Sequence, residues 1–307
     1  MKFAAIDIGS NAVRLLICNV THRKKNPLIK KELLVRSPIR LGEQAFIDGK
    51  IYDNKITMLT KAMSAYRNLM DIYGVKHYKA CATSAMREAA NGNEILQHIK
   101  EQTDISINII SGQKESTTIF EIYRKHLKEH EHKTFMSIDV GGGSTELVLF
   151  HNDKIIASQS FKIGTLRVLN EQVKPETWDS MKGWLENLAA QYPNIHGLGS
   201  GGNIIKIHKI YVKDNHKKPI TPELLKHVDE HLNSFTLRER IHTLGLKPDR
   251  ADVIVPATTI FRNVLQWAKM KKLFVLKMGL SDGIIKELYQ KHYTEMSQTS
   301  FEKFTKK

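Results

Sequence analysis

Residues 5–20 read AIDIGSNAVRLLICNV, and residues 137–152 read SIDVGGGSTELVLFHN. The two stretches align without a gap at an offset of 132 residues. Ile6-Asp7-Ile8-Gly9 lies over Ile138-Asp139-Val140-Gly141, and Leu15 and Ile17 lie over Leu147 and Leu149. Each copy opens as an apolar run ending in an aspartate, passes a Gly/Ser turn, and continues as a second, alternating strand. Such a repeat predicts two domains of related fold, built by duplication.

The flanking residues fit alternating helices and strands. Strands are predicted at Leu28–Val35, Lys76–Ala82 and Ser106–Ile110, and helices at Asn54–Tyr73, Asn93–Lys100 and Gln113–Lys128. Beyond the second copy, strands are expected at Lys154–Phe161, Asn194–Leu198 and Leu273–Lys277. Helices are expected at Gly164–Asn170 and Pro175–Ala190, from Thr221, from Ala251 and after Ser281. Alternation of this kind predicts an α/β fold with mixed, helix-flanked sheets. The hydrophilic stretch Lys125–Lys133 (KHLKEHEHK) places the hinge, dividing the chain into residues 1–127 and 128–307. The three tryptophans, Trp178, Trp184 and Trp267, occupy apolar helical positions and are expected in the core.

Composition narrows the classes. With 41% hydrophobic residues, 26% charged and 8 prolines in 307, the chain can bury real cores, which excludes global disorder and collagen-like repeats. Two cysteines, Cys18 and Cys81, cannot build a disulfide framework and suit a reducing compartment. No apolar run has the length of a membrane span, and Asp7 interrupts the apolar start, which carries no cleavage pattern. A soluble, cytoplasmic protein without a membrane partner is expected. The 47 Lys and Arg exceed the 32 Asp and Glu, giving a net charge of +15 that attracts polyanions. The basic residues are scattered in pairs such as Lys24-Lys25 and Lys217-Lys218, each readable as ordinary solvated surface.

The turns of the repeat carry chemistry. Glycines let the backbone approach an anion closely, and Ser10, Asn11, Ser144 and Thr145 add donors suited to phosphate oxygens. The carboxylates of Asp7 and Asp139 can hold Mg²⁺ beside those oxygens. A single copy would be accounted for by a hairpin turn with a capping aspartate; two gap-free copies point to a phosphate clamped from both sides. On an alternating strand Glu146 shares the face of Ser144 and is a candidate second carboxylate of the metal site. Glu115 falls in the first turn of a helix entered at Gly112, where it could orient or deprotonate water. By itself that placement also fits a favourable charge on the helix dipole. Arg87, after a strand, could fork onto phosphate, and alone would be an ordinary surface arginine.

Seven motifs then occur in order: AIDIGSNAVRLL from Ala5, CATSAMREAANG from Cys81, ISGQKES from Ile110, SIDVGGGSTELVLF from Ser137, GLGSGGN from Gly197, RADVIVPA from Arg250 and GLSDGII from Gly279. Together they resemble the exopolyphosphatase and guanosine pentaphosphate phosphatase family of the actin, sugar-kinase and Hsp70 superfamily, from about Phe3 to Leu288. The resemblance implies two ribonuclease-H-like (actin-like ATPase) domains with the active site in the cleft between them. It implies a terminal phosphate held between the two loops, Mg²⁺ as cofactor and water as nucleophile. Inorganic polyphosphate or guanosine pentaphosphate would be the substrate. Glu115 falls on the family's catalytic carboxylate, Asp139 and Glu146 on its essential acidic positions, and Ser144 on its phosphate-loop serine. Gly9, Ser10, Asn11, Arg87, Gly141, Gly142 and Gly143 fall on phosphate-contact positions. The resemblance also implies a C-terminal helix that crosses back onto the first domain from roughly Leu288, and a possible homodimer.

Two departures stand out. Family members carry a more acidic run around the catalytic glutamate, followed by Ala-Arg, where this chain has Gln113-Lys114-Glu115-Ser116-Thr117. The chain also stops at Lys307, which resembles the short, two-domain form lacking a helical C-terminal extension.

Rival readings are weaker. Gly197-Leu198-Gly199-Ser200-Gly201-Gly202 satisfies the dinucleotide pattern, but no acidic residue follows on a strand about 20 positions on. No P-loop motif is present. His126, His130 and His132 crowd together without the companions of a zinc site. A sugar-kinase activity lacks its catalytic aspartate context, and no sequence-specific nucleic-acid motif appears. The remaining alternative is a catalytically weak regulator that binds polyphosphate or an alarmone, against which stands the joint presence of Glu115, Asp139 and Glu146.

Overall fold

The computed structural model describes the backbone of residues 1–22, 27–127, 133–212 and 218–305, and of these the side chains except 120, 122–127 and 295–305. Its first half opens with β1 (Lys2–Ile8), β2 (Val13–Thr21) and β3 (Leu28–Ser37), then α1 (Gly42–Ile47), α2 (Asp53–Ile72), β4 (His77–Ala82), α3 (Ser84–Glu88), α4 (Gly92–Thr103) and β5 (Ile107–Ile109). Helix α5 (Gly112–Leu127) leads to β6 (Thr134–Val140), β7 (Thr145–His151) and β8 (Lys154–Phe161). There follow α6 (Thr165–Leu169), α7 (Pro175–Gln191), β9 (His196–Ser200), α8 (Gly202–Tyr211), α9 (Pro222–Asn233), α10 (Leu237–His242), α11 (Pro248–Ala251), α12 (Ile254–Trp267), β10 (Leu273–Val275) and α13 (Leu280–Thr305).

The repeat is visible in the two sheets. One sheet has the order β3-β2-β1-β4-β5 and the other β8-β7-β6-β9-β10, so the two share one topology. In each, three strands form an antiparallel meander and two more join parallel to the first strand through helical crossovers. Even the irregularities correspond. The β2–β3 register slips between Ile17 and Cys18, and the β7–β8 register slips between Leu149 and Phe150, which are equivalent repeat positions. The α/β fold with mixed, helix-flanked sheets expected from the sequence is the one observed.

Each sheet has its own core. Ile6, Ile8, Leu15, Ile17, Leu59, Met63 and Tyr66 pack on the first, and Ile138, Leu147, Leu149, Leu185, Ile260 and Phe261 on the second. At roughly 1.5–3 kcal/mol for each large side chain fully buried, these clusters dominate the stability of the fold. The other faces are covered crosswise. Ile119 of α5, which leaves the first sheet at β5, packs with Phe135, Val148 and Phe150 of the second. Leu280, Ile284 and Ile285 of α13, which leaves the second sheet at β10, pack with Phe3, Ala5, Leu16 and Cys81 of the first. The two helices touch where they cross. A Cβ on Gly283 would lie 2.6 Å from Cγ2 and 2.7 Å from the carbonyl oxygen of Thr118, so glycine permits the approach.

Several elements differ from expectation. The strand expected at Asn194–Leu198 begins at His196, because Asn194 adopts φ 61° and still belongs to the turn. Helix α4 runs on to Thr103, where Asp104 at φ 54° ends it. The helix expected from Ala251 is two, α11 and α12, separated at Asp252 and Val253. Helices α1, α3 and α10 were not anticipated. The tryptophans border the second core half-buried rather than filling it, with Trp178 and Trp267 in edge contact at 6.1 Å. Most of the hinge stretch, and the side chains of His126, His130 and His132, lie outside the described residues.

Candidate active site

Asp7 and Asp139 both stand one residue before the end of their strands, and the turns that follow are closed alike. Gly9 N–H donates to the Ala12 carbonyl at 3.2 Å, and Gly141 N–H to the equivalent Ser144 carbonyl at 2.9 Å. The two turns face each other across a cavity of about 100 Å³, lined by Asp7, Gly9, Ser10, Asn11, Glu115, Asp139, Gly141, Gly142, Ser144 and Glu146 among others. Their contact is close because glycine leaves room. A Cβ on Gly142 would sit 2.9 Å from the Ser10 Cβ, and one on Gly143 would sit 2.2 Å from the Phe46 ring and 2.6 Å from the Ser84 hydroxyl. Ser10 and Ser84 hydroxyls hydrogen-bond at 2.9 Å on the first-sheet side.

The copies diverge at one repeat position, and the divergence sets the charge of the site. Strand pairing puts Arg14 opposite Asp7 and Glu146 opposite Asp139, and Arg14 and Glu146 are equivalent in the repeat. Arg14 Nη1 donates to Asp7 Oδ2 at 2.7 Å, so the first aspartate is compensated. The second aspartate faces another acid. Glu146 Oε1 accepts from Ser144 at 2.5 Å and from Ser160 at 3.0 Å.

Glu115 enters from α5. Burial, then the nearby charges of Glu146, Asp139 and Asp7, push its carboxyl well above the ordinary range, with Arg87 acting the other way. Glu146 is pushed up to about 7, first by burial and then by Asp139, against the pull of its serine hydrogen bonds. Asp139 is raised by burial, opposed by the Ser200 hydroxyl and Arg14. Charged carboxylates gathered this closely repel one another, and a cation or a proton relieves them.

Three arginines, Arg14, Arg36 and Arg250, also line the cavity. Arg36 is ion-paired with Asp249, and its Nε is buried without a hydrogen-bond partner. Among the described residues the Arg250 guanidinium makes no ion pair, and burial followed by the charge of Arg36 lowers its pKa. Unpaired or crowded guanidinium groups facing a cavity suit an anionic ligand. Gly201, at φ 97°, turns the Gly-rich loop before α8 into this region, where a Cβ on Gly202 would lie 3.0 Å from Arg250. That loop therefore packs against Asp139 and Arg250.

Ten of the thirteen residues singled out from sequence line the cavity; Thr145 does not, being fully buried with its hydroxyl donating to the Ile163 carbonyl at 2.6 Å. Gly143 does not, because Phe46 packs against it. Arg87 does not either: its Nη1 donates to the Ile110 carbonyl at 2.6 Å, from where its charge reaches Glu115 and Glu146. Lys114, the departure beside Glu115, turns to Glu287 of α13 at 3.2 Å. Sequence reasoning missed Arg14, Arg36, Ser84, Thr165 and Arg250 in the lining. Arg14 had a signal, a charge inside an apolar strand opposite an aspartate, and Arg250 opens one of the seven motifs; Arg36 had none.

The donor set suits a hard divalent cation. Asp139, Glu146 and Glu115 supply oxygen only, and the buried Oδ1 of Asn11 has no hydrogen-bond partner. Among the described residues no three His, Cys, Asp or Glu side chains close into a cage. Magnesium is commonly held by one or two carboxylates together with water and substrate phosphate.

The chain is similar to known proteins. The Ppx/GppA phosphatase family model matches residues 33–292. Over 285 residues the chain is 29% identical to a bifunctional 3-dehydroquinate synthase/phosphatase of Fusobacterium nucleatum, covering 86% of this chain but 43% of that protein. Over 304 residues it is 21% identical to exopolyphosphatase 1 of Mycobacterium tuberculosis, covering 93% of this chain and 87% of that one. The crystal structure of the Aquifex aeolicus member of the Ppx/GppA family superposes with a TM-score of 0.74 at 26% identity, covering 95% of this chain and 98% of that one.

Proposed function

The chain belongs to the Ppx/GppA phosphatase family, and on that premise we propose that it is a Mg²⁺-dependent exopolyphosphatase, releasing the terminal phosphate of inorganic polyphosphate by water attack. The observation that carries this reading is the position of Glu115. It lines the same cavity as the two glycine turns, with its carboxyl raised above the ordinary range by burial and by the charges of Glu146 and Asp139. A base of raised pKa is matched to accepting a proton near neutral pH.

In this account Gly9, Ser10, Asn11, Gly141, Gly142 and Ser144 hold the terminal phosphoryl group from both sides. Glu115 orients a water molecule and takes its proton as the water oxygen bonds to phosphorus. The bridging P–O bond breaks, leaving one inorganic phosphate and a chain one unit shorter. Asp139 and Glu146 would hold the magnesium ion, whose charge offsets that on the transferring group. Arg14, Arg36 and Arg250 would receive the phosphates that follow, as fixed charges needing no rearrangement. The same three guanidinium groups favour guanosine pentaphosphate as the second candidate substrate, since a compact tetra-anionic head would meet them together. Residues 1–127 and 128–307 would form the two domains, and a homodimer is the proposed assembly.

The test is phosphate release from long polyphosphate, short polyphosphate and guanosine pentaphosphate, with Mg²⁺ and with EDTA. The reading predicts metal-dependent release, fastest from polyphosphate. Release from guanosine pentaphosphate alone would reassign the substrate. Tight binding of all three without release would leave a polyanion-binding regulator.

A further inference from the structure

Three successive carbonyls of the second glycine turn are tied to α6. Thr165 N–H donates to the Gly141 carbonyl at 2.9 Å and Leu166 N–H to the Gly142 carbonyl at 2.9 Å. The third bond comes from a side chain, since Arg167 Nε donates to the Gly143 carbonyl at 2.8 Å. In a trans peptide the C=O and the next N–H point in opposite directions. Fixing the carbonyls of Gly141, Gly142 and Gly143 on α6 therefore turns the N–H groups of Gly142, Gly143 and Ser144 the other way. Ser144 is the residue whose hydroxyl meets Glu146.

The same guanidinium reaches the first half of the molecule. Arg167 Nη2 bonds Glu88 Oε2 at 2.5 Å, and Lys162 joins that carboxylate at 3.2 Å. Glu88 ends α3, the five-residue helix whose first residue, Ser84, bonds Ser10 in the first turn. The guanidinium also lies 4.0 Å over the Phe46 ring, the ring that packs against Gly143. Arg167 itself is only 7% exposed, so its guanidinium is largely withdrawn from solvent. One buried fork thus touches the second turn, the helix that supports the first, and the ring between them.

We propose that Arg167 is a positioning residue for phosphate transfer. It orients the Gly143–Ser144 peptide and, through Glu88, fixes the spacing of the two turns that grip the phosphate. This rests on the proposed phosphohydrolase reading, but the geometry concerns phosphate binding and is testable without turnover. Lysine could satisfy one partner as a point charge but has no fork for both.

The experiment compares wild type with Arg167→Lys, Arg167→Ala and Glu88→Gln, measuring kcat and KM for phosphate release, affinity for inorganic phosphate, and thermal unfolding. The proposal predicts that Arg167→Lys stays folded and weakens kcat/KM and phosphate affinity by about ten- to hundred-fold, the range for a lost charge-assisted hydrogen bond. Methylguanidinium added to Arg167→Ala should restore part of the loss. Glu88→Gln should have a smaller effect that is not additive with Arg167→Lys. Folded Arg167→Lys with unchanged kcat, KM and phosphate affinity would overturn the proposal. If Arg167→Ala fails to fold, Arg167→Lys and Glu88→Gln decide it. Should wild type bind phosphate yet release none from any substrate, the functional reading falls, and phosphate affinity alone judges Arg167.

Discussion

Arg14 and Glu146 show how one repeat position can divide the labour of a duplicated site. The backbone around them is equivalent, down to the pairing register. The arginine neutralises the aspartate of its copy, whereas the glutamate adds charge to that of the other. Asp139, Glu146 and Glu115 are thus the acids of the site with raised carboxyls, while Arg14, Arg36 and Arg250 bring guanidinium groups to the same cavity. Two predictions belong at this scale. Arg87 lowers the pKa of Glu115, so Arg87→Gln should raise it further. A base works only once deprotonated, so the acid limb of kcat/KM should then move to higher pH; a limb that stays put would contradict the assignment. Arg250→Gln should raise KM about ten-fold or more by removing a charge-assisted contact, with kcat changed much less. The candidate acids and turn residues were legible in the sequence because the repeat displays them twice. Arg36 was not, because its role depends on where β3 ends and on Asp249, far along the chain. The role of Arg167 was equally hidden, since it acts through a peptide carbonyl.

Helices α5 and α13 tie the molecule together by exchange. Helix α5 starts at the first sheet and packs Ile119 on the second, α13 starts at the second and packs Leu280, Ile284 and Ile285 on the first, and they meet where Gly283 passes Thr118. A methyl group there would press into the Thr118 carbonyl, part of the helix that carries Glu115 three residues earlier. Gly283→Ala should destabilise the fold by about 1–3 kcal/mol, the usual range for overpacking, and should lower kcat in the fraction that remains folded. Denaturant unfolding with parallel kinetics checks both, and unchanged values would show that the crossing has slack. The strands and long helices could be read from hydrophobic periodicity. Helices α1, α3 and α10 span five or six residues each, too short for a 3.6-residue period to show. Helix α3 escaped notice although it carries Ser84 and Glu88, because its sequence reads equally as the loop after a strand.

At the scale of the whole molecule, the two halves are held together beside the cleft by buried or half-buried charge pairs. Arg167 joins Glu88, and Arg36 and Arg40 join Asp249 and Asp252, Arg40 at 2.8 Å. These partners come from segments remote in sequence, so nothing in local pattern announced them. The chain's net charge of +15 attracts polyanions at long range. Accordingly, kcat/KM for polyphosphate should fall as ionic strength rises at fixed free Mg²⁺, and a flat profile would remove steering from the account. The central claim is that Glu115 activates the water that attacks the terminal phosphate. It is tested most directly by comparing phosphate release and polyphosphate affinity for wild type and Glu115→Gln under the same metal conditions. The account predicts a loss of about 10²–10⁴-fold in kcat, with affinity equal or higher because one negative charge has left an anion site. A Glu115→Gln variant that releases phosphate within a few-fold of wild type would contradict it.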